Sequence, residues 1–214
     1  MNILLTGFEP FGVHAINPSQ LLVESLPDQY QGITLTKSIL PVDHQLTPKV
    51  LINLLRDHQP DAVISFGLAS GRAKIAIERV AVNLMDFSIP DNTGATIENH
   101  PVVEQGPAAY FSSLPIHAMQ SALNKAGIPA ELSLTAGAYL CNQVFYLLMH
   151  QIAIQNLKAQ AGFIHLPALP EQAASSKKTI PSMSLEHIRK AAFLIVAELD
   201  QDHSSKQTTS QNNH

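Results

Sequence analysis

The single cysteine of the chain, Cys141, lies in the segment 135–146. The residues before it are apolar and strand-like, whereas those after it repeat apolar side chains at helical spacing, beginning with Val144 and Leu147. Cys141 is therefore predicted to lie where a loop becomes a helix. Free N–H groups and the positive end of the helix dipole favour a thiolate there, the form that acts as a nucleophile. A buried structural cysteine is the alternative interpretation.

A thiol nucleophile needs a base that takes its proton and later protonates a leaving group, and histidine is suited to both steps. Of the ten histidines, His165 is the best placed, because it interrupts the apolar segment 161–167. A polar ring in such a segment is costly unless it has a partner. The alternative is a core histidine that is bonded to a backbone carbonyl.

A carboxylate would complete the arrangement by orienting the imidazole and stabilising its protonated form. Glu78 lies in the alternating run 73–83 and shares a face with small apolar neighbours. An ordinary ion pair with Lys74 or Arg79 at a sheet edge is the alternative. Two weaker acidic candidates lie in or near the following loop: Asp86 and Asp91.

Two aromatic side chains, Phe8 and Phe11, lie in a glycine-bounded loop of a chain that is only 6% aromatic. They are candidates for the walls of a small, flat, mostly apolar ligand site. A loop anchored by its own aromatic rings is the alternative. The segment 67–72 looks superficially like a phosphate loop, but it lacks the spacing of either glycine-rich nucleotide motif.

Strand-like and helical patterns alternate along the chain, which predicts a single α/β domain over residues 1–200 with a largely parallel, twisted sheet. The predicted strands are 3–6, 33–40, 61–66, 130–135 and 162–166, and the predicted helices are 19–26, 46–58, 116–125, 142–155 and 184–199. Ligands of such sheets bind beyond the carboxyl ends of the strands. Cys141 and His165 both follow or end a strand, so they are expected to share a cleft.

Three segments do not fit this simple alternation of strands and helices. Residues 75–87 alternate over a stretch longer than a usual strand. Residues 90–106 have no clear period and are expected to form a hairpin or a lid. Residues 201–214 are almost entirely polar and are expected to form a disordered tail.

Composition excludes several classes of function. A net charge of −4 provides no basic excess for nucleic acid, and no apolar run is long enough to span a bilayer. The N-terminus lacks the basic and apolar regions of a signal peptide. One cysteine cannot form an intramolecular disulfide, so a reducing, cytoplasmic location is expected. No metal or cofactor is predicted, because the histidines show no metal-ligand spacing.

Five blocks of sequence resemble the pyrrolidone-carboxylate peptidases (pyroglutamyl peptidase I), in the order in which that family carries them. They are 4–12 with 17–19, 78–83, 89–92, 135–142, and 162–167 with 169–172. The resemblance implies a cytosolic cysteine peptidase that removes N-terminal pyroglutamate from peptides. It also implies an open α/β/α sandwich and a homo-oligomer, a tetramer or a dimer. By matching position, the nucleophile would be Cys141, the base His165 and the orienting acid Glu78, with Phe8 and Phe11 as the substrate pocket.

Three positions depart from the family pattern. Leu68 stands where the family usually has glutamine, Ser88 where it has arginine, and Leu147 where glycine is frequent. Loss of the guanidinium is expected to weaken charge stabilisation near the site. These departures keep open a non-catalytic homologue that binds a peptide or small amide. A nucleoside phosphorylase-like enzyme and a redox role for Cys141 are weaker alternatives, the latter because no resolving cysteine exists.

Overall fold

The computed structural model describes residues 1–211, with side chains described as far as His203. The strands are β1 (Asn2–Phe8), β2 (Gln29–Tyr30), β3 (Ile33–Leu40), β4 (Ala62–Leu68), β5 (Ile75–Glu78), β6 (Val80–Val82), β7 (Ala109–Phe111), β8 (Ala130–Ser133) and β9 (Gln160–Leu166). The helices are α1 (Pro18–Ser25), α2 (Leu46–His58), α3 (Ile116–Lys125), α4 (Leu140–Ile154), α5 (Pro170–Ser175) and α6 (Leu185–Gln211).

Seven strands form one sheet in the order β2-β3-β1-β4-β9-β5-β8. Its centre, from β3 through β1 and β4 to β9, is parallel. The strand β5 is antiparallel to β9 but parallel to β8, and β2 is antiparallel to β3. The remaining two strands, β6 and β7, form a separate antiparallel pair. The predicted α/β fold with a largely parallel sheet is confirmed.

Helices cover both faces of the large sheet. Helices α1, α3 and α6 pack on one face in a core that includes Ile3 and Leu5, whereas α2 and α4 pack on the other face with Leu4 and Phe8. Successive strand residues point to opposite faces, so β1 contributes to both cores. Strands buried on both faces are mostly apolar instead of alternating. The fully buried strands β4 and β9 follow this rule, with Ser65 in β4 and Gln160 and His165 in β9 as the polar exceptions. The result is the α/β/α sandwich that the resemblance implied.

The long alternating segment 75–87 is divided at Arg79. Its first part, β5, belongs to the large sheet, and its second part, β6, pairs with β7. The N–H of Arg79 donates to the carbonyl of Ser133 at 2.8 Å, while its own carbonyl accepts from the N–H of Ser112 at 3.0 Å. The backbone therefore changes partners at this one residue. Alternation continues across the change, which is why the sequence pattern did not reveal it.

The end of the chain also differs from the prediction. The short helix α5 was not predicted, and α6 continues to Gln211, past the predicted end at Leu199. Ser184 caps α6, since its hydroxyl accepts the N–H of His187 at 3.3 Å. Of the predicted polar tail, residues 212–214 and the side chains beyond His203 lie outside the described residues.

The segment 90–106 contains no helix or strand, and it is fastened by individual hydrogen bonds. Asp91 Oδ1 accepts the N–H groups of Thr93 and Ala95, and Asp91 Oδ2 lies 2.8 Å from His44 Nδ1. An isolated antiparallel bridge between Met85 and His100 joins the segment to the chain that precedes it. None of the described helices is both long and apolar enough to cross a bilayer.

Candidate active site

The structure brings Glu78 and His165 together on two adjacent strands of the large sheet, β5 and β9. Glu78 ends β5, and His165 lies near the end of β9; the two strands pair with Ala76 opposite His165. Residues two apart on a strand share a face, so Glu78 and His165 project to the same side. His165 Nδ1 lies 2.8 Å from Glu78 Oε1, and the Glu78 side chain is fully buried. With the Glu78 oxygen as the acceptor, Nδ1 is the donor of this bond, and Nε2 is the ring nitrogen that remains to exchange a proton with the sulfur.

Cys141 is the second residue of α4, one position inside the predicted loop-to-helix boundary. Its sulfur packs directly over Gly67 of β4, where an added Cβ would lie only 2.8 Å from Sγ. Gly67 is the register partner of His165, and paired residues on adjacent strands point to the same face. The sulfur and the imidazole therefore lie on one side of two neighbouring strands. Among the described residues, no hydrogen bond within 4.0 Å joins Sγ to the His165 ring.

The thiol of Cys141 is neutral in the resting structure. The residue is partly exposed, but its sulfur packs against the sheet, and burial raises the pKa of Cys141 to about 12, with a further contribution from the negative charge of Glu78. The hydrogen bond from its own backbone N–H acts in the opposite direction. The sequence-based expectation of a thiolate stabilised by the helix start is therefore wrong for the resting site: desolvation outweighs the helix terminus.

The start of α4 presents backbone donors beside the sulfur. No side chain caps this helix, and Gln143 is the first of its residues whose N–H is bonded, to the carbonyl of Tyr139 at 3.1 Å. Within the described part of the chain, no backbone carbonyl accepts the N–H of Cys141, which is directed at its own sulfur, or the N–H of Asn142. The helix start is held by the Asn142 side chain, which binds the N–H and carbonyl of Val82 at 3.0 and 2.8 Å. The backbone N–H groups at this helix start are donors of the kind that an oxyanion formed at Cys141 would require.

The cation next to Glu78 is Arg72, which sequence analysis did not select. Arg72 Nη1 donates to Glu78 Oε1 at 3.1 Å, and Nη2 donates to the carbonyl of Thr135 at 3.0 Å. The two cations proposed as alternative partners lie elsewhere: Lys74 is 3.6 Å from Glu131, and Arg79 stacks over the Phe111 ring. Arg72 is the last residue of the segment 67–72, which only superficially resembles a phosphate loop. Its place in this loop after a strand was the one feature of the sequence that could have marked it as a site residue.

Phe8 and Phe11 line a narrow apolar cleft that also contains Cys141, Leu68 and Tyr139. Phe8 is almost fully buried, with its ring 6.4 Å from that of Phe163, whereas Phe11 is partly exposed beside Tyr139 at 6.0 Å. The two aromatic rings thus lie at the same opening as the sulfur. Leu68, one of the departures from the family pattern, lies in the cleft wall and offers no hydrogen bond there.

The loop that carries Phe11 is held in place by Glu9. Glu9 Oε1 accepts the N–H of Val42 at 2.9 Å and the Asn92 amide at 2.8 Å, and the same amide donates to the carbonyl of Pro10 at 3.0 Å. The irregular segment 90–106 is thereby fastened to the aromatic loop. The bonds of Asn92 thus hold this segment against the loop that forms one wall of the cleft.

The weaker acidic candidates do not reach the sulfur or the imidazole. Asp86 is exposed. Asp91 is buried, which acts to raise its pKa, but hydrogen bonds from Thr93 and His44 outweigh burial and the pKa is lowered overall. Asp91 therefore remains ionised and serves as an anchor of the 90–106 segment.

One group among the described side chains brings potential metal-ligand atoms within 4.8 Å of one another: Asp43, His44 and Asp91. Its oxygens already have partners. Asp43 Oδ1 accepts the N–H groups of Gln45 and Leu46 at 2.8 and 3.0 Å, at the start of α2. The arrangement is that of a turn and a helix start.

The sequence is similar over most of its length to known peptidases. The protein-family model described as pyroglutamyl peptidase matches residues 1–200. The chain is 46% identical over 196 residues to a pyrrolidone-carboxylate peptidase of Thermococcus onnurineus, covering 92% of this chain and 97% of that protein. It is 45% identical to the protein of the same name from Bacillus cereus, covering 91% and 90% respectively.

Solved structures agree with the sequence comparison. A variant of pyrrolidone carboxyl peptidase from Pyrococcus furiosus superposes with a TM-score of 0.92 at 40% identity, covering 94% of this chain and 99% of that one. Pyroglutamyl peptidase I from Bacillus amyloliquefaciens superposes with a TM-score of 0.89, also at 40% identity, covering 92% and 94%.

Proposed function

The chain belongs to the pyroglutamyl peptidase family, a family of cysteine peptidases, and we propose from this premise that Cys141, His165 and Glu78 hydrolyse the bond after an N-terminal pyroglutamyl residue. The observation that carries the proposal is the contact of Sγ with Gly67, the register partner of a histidine that is itself bonded to a buried carboxylate. A nucleophile, a base and an orienting acid are then side by side on one face of the sheet.

In the first half of the reaction, the sulfur of Cys141 attacks the carbonyl carbon that joins pyroglutamate to the next residue. The thiol proton passes to Nε2 of His165, and the carbonyl oxygen becomes an oxyanion that the N–H groups of Cys141 and Asn142 at the start of α4 stabilise. His165 then gives its proton to the departing amine as the C–N bond breaks. A thioester between the pyroglutamyl group and Cys141 remains.

In the second half, a water molecule attacks the thioester. His165 takes a proton from that water, and as the C–S bond breaks it returns this proton to the sulfur, which releases pyroglutamate and restores both the thiol and the base. Throughout both halves, Glu78 holds Nδ1 of the ring and stabilises the imidazolium that forms twice. Since the resting thiol is neutral, proton transfer to His165 accompanies the attack instead of preceding it.

Substrate selection follows from the cleft. Pyroglutamate is a flat lactam without a charged amine, and the walls formed by Phe8, Phe11 and Leu68 are apolar. An ordinary N-terminus would have to lose the hydration of its ammonium group in this cleft without a carboxylate to receive it. The proposed substrates are therefore peptides with a blocked, pyroglutamyl N-terminus.

The direct test is hydrolysis of a pyroglutamyl-linked fluorogenic amide by the purified protein. We expect turnover that iodoacetamide abolishes and that metal chelators leave unchanged, and no turnover of the same amide carrying proline in place of pyroglutamate. Cys141→Ser and His165→Ala should remove measurable activity, whereas Glu78→Gln should retain a small fraction.

A folded wild-type protein that binds the amide without cleaving it would instead support the non-catalytic homologue. The observations that favour this second candidate are the missing hydrogen bond between Sγ and His165 and the apolar Leu68 in the cleft. Equal rates for Cys141→Ser and wild type would reject Cys141 as the nucleophile.

We also propose that the protein acts in the cytoplasm as a homo-oligomer, a dimer or tetramer. A reduced thiol is required by the mechanism, and a reducing compartment preserves it. Large apolar side chains remain outside the core, notably Phe111 at 68% and Leu134 at 71% exposure, and such side chains are common at subunit interfaces. Light scattering on the purified protein tests the assembly.

A further inference from the structure

We propose that Arg72 is a positioning residue of the reaction: it fixes the carboxylate of Glu78 and, through it, the imidazole of His165. The inference rests on the proposed function. Its basis is a three-way arrangement in which a single oxygen, Glu78 Oε1, accepts from both Arg72 Nη1 at 3.1 Å and His165 Nδ1 at 2.8 Å.

Glu78 needs an external anchor because its surroundings give it little else. The side chain is fully buried, and its other oxygen, Oε2, has no hydrogen-bond partner among the described residues. A buried carboxylate without a compensating charge is costly. Within the part of the chain whose side chains are described, Arg72 is the one lysine or arginine within 4.0 Å of this carboxylate.

The same guanidinium holds a second part of the site. Nη2 of Arg72 donates to the carbonyl of Thr135 at 3.0 Å. Thr135 lies in the loop between β8 and α4, six residues before Cys141. The planar guanidinium thus links the acid to the loop that leads to the nucleophile, a two-directional contact that its fixed fork of donors allows and a lysine ammonium does not reproduce.

Arg72 itself is accessible from outside, since 28% of its side chain is exposed, whereas the carboxylate it contacts is enclosed. Among the described residues, the Arg72 side chain donates hydrogen bonds to Glu78 and Thr135, and Arg72 is not among the residues that line the cleft. Its expected contribution is therefore to the geometry of the reacting groups and not to substrate binding. Misplacing reacting groups lowers kcat more than it changes KM.

The experiment compares Arg72→Ala, Arg72→Lys and a control, Arg79→Ala, in the fluorogenic assay. Arg79 follows Glu78 in sequence and has the same positive charge as Arg72. Its guanidinium lies over the Phe111 ring and not beside the carboxylate. We expect Arg72→Ala to lower kcat by about 10- to 100-fold with KM within about threefold of wild type. Arg72→Lys should recover part of the loss, and Arg79→Ala should remain near wild type.

Chemical rescue separates positioning from general damage to the fold. Because the Arg72 side chain reaches solvent, millimolar methylguanidinium should enter the space left in Arg72→Ala and restore part of kcat, but it should not stimulate wild type or Arg79→Ala. In the Glu78→Gln background, removal of Arg72 should cost much less than in wild type, since its anchor point has lost its charge. A kcat for Arg72→Ala equal to wild type, or an equal loss in both backgrounds without rescue, would overturn the inference.

A readout without turnover keeps this test independent of the proposed function. The ring N–H of His165 that is bonded to Glu78 should give a proton resonance, assigned by its absence in His165→Ala. The resonance should shift or broaden in Arg72→Ala and not in Arg79→Ala, even if wild type proved inactive toward pyroglutamyl amides. An unchanged resonance in folded Arg72→Ala would contradict the inference.

Discussion

Gly67→Ala is expected to lower kcat by at least tenfold without unfolding the protein. A Cβ at this position would lie 2.8 Å from Cys141 Sγ and 2.8 Å from the Phe163 ring. Restoring ordinary contact requires a displacement of about 0.7 Å. Phe163 is fully buried and its ring is 4.9 Å from that of His165. Either the sulfur must move away from the new Cβ, or the Phe163 ring must move and displace the imidazole.

The substitution has separate effects on folding stability and on kcat. Overpacking of a core costs about 1–3 kcal/mol, whereas replacing glycine by alanine at an allowed backbone conformation returns roughly 0.4–1 kcal/mol through the unfolded state. Gly67→Ala should therefore be destabilised only modestly. A misplacement near 1 Å lowers the rate by about 100-fold, so kcat should fall by at least tenfold.

Gly71→Ala is the matched control for this prediction. It lies in the loop after β4, four residues beyond Gly67, and no atom lies within 4 Å of its added Cβ. Thermal unfolding and kcat should be measured for both variants. We expect Gly71→Ala to match or exceed wild-type stability with unchanged kcat. Wild-type kcat in folded Gly67→Ala would refute the close packing of sulfur on the sheet.

Three further predictions concern protonation and the cleft. The alkylation rate of Cys141 by iodoacetamide should rise about tenfold per pH unit from neutral pH to pH 10 without a plateau, because burial raises the pKa of the thiol to about 12; a plateau at or below neutral pH would show a preformed ion pair. The hydrogen bonds that lower the pKa of Asp91 stabilise the fold above the unfolded carboxyl pKa of about 3.9, and this stabilisation is lost as the pH falls below it. Asp91→Asn should therefore cost about 1–3 kcal/mol at neutral pH in urea titrations and flatten the acid dependence; equal stability at neutral pH would contradict this. Phe11→Ala should raise KM roughly tenfold with a smaller effect on kcat, while Phe193→Ala, on the opposite face of the sheet, should leave KM unchanged; equal KM values for the two variants would exclude Phe11 from the pocket.

Much of the fold follows from local patterns. The strand Ile33–Leu40 and the helices Leu46–His58 and Ile116–Lys125 begin and end where the sequence predicts. Each has one clear period of apolar side chains, and each is bounded by residues that interrupt this period, such as Gly127 after the helix Ile116–Lys125. The change of sheet at Arg79 has no such signal, because the side-chain period stays at two on both sides of it.

The candidate site was predictable in its residue types but not in its electrostatics. Strand ends gather at one edge of a parallel sheet, so a lone cysteine and a histidine in a strand could be grouped from sequence alone. Glu78 lies on a strand antiparallel to β9, and only the need of the histidine for a carboxylate pointed to it. The neutral state of Cys141 depends on how closely its sulfur packs against Gly67, and the anchoring of Glu78 depends on the path of the loop that carries Arg72. Both are properties of tertiary packing, which residue spacing does not encode.

The most direct test of the central claim is detection of the acyl-enzyme. A pyroglutamyl ester or amide mixed with the protein and quenched in acid within the first turnover should leave a pyroglutamyl group on Cys141, identified by peptide mass mapping and absent from Cys141→Ser. Turnover of wild type with no acyl group on Cys141, or with the group on another residue, would contradict the account.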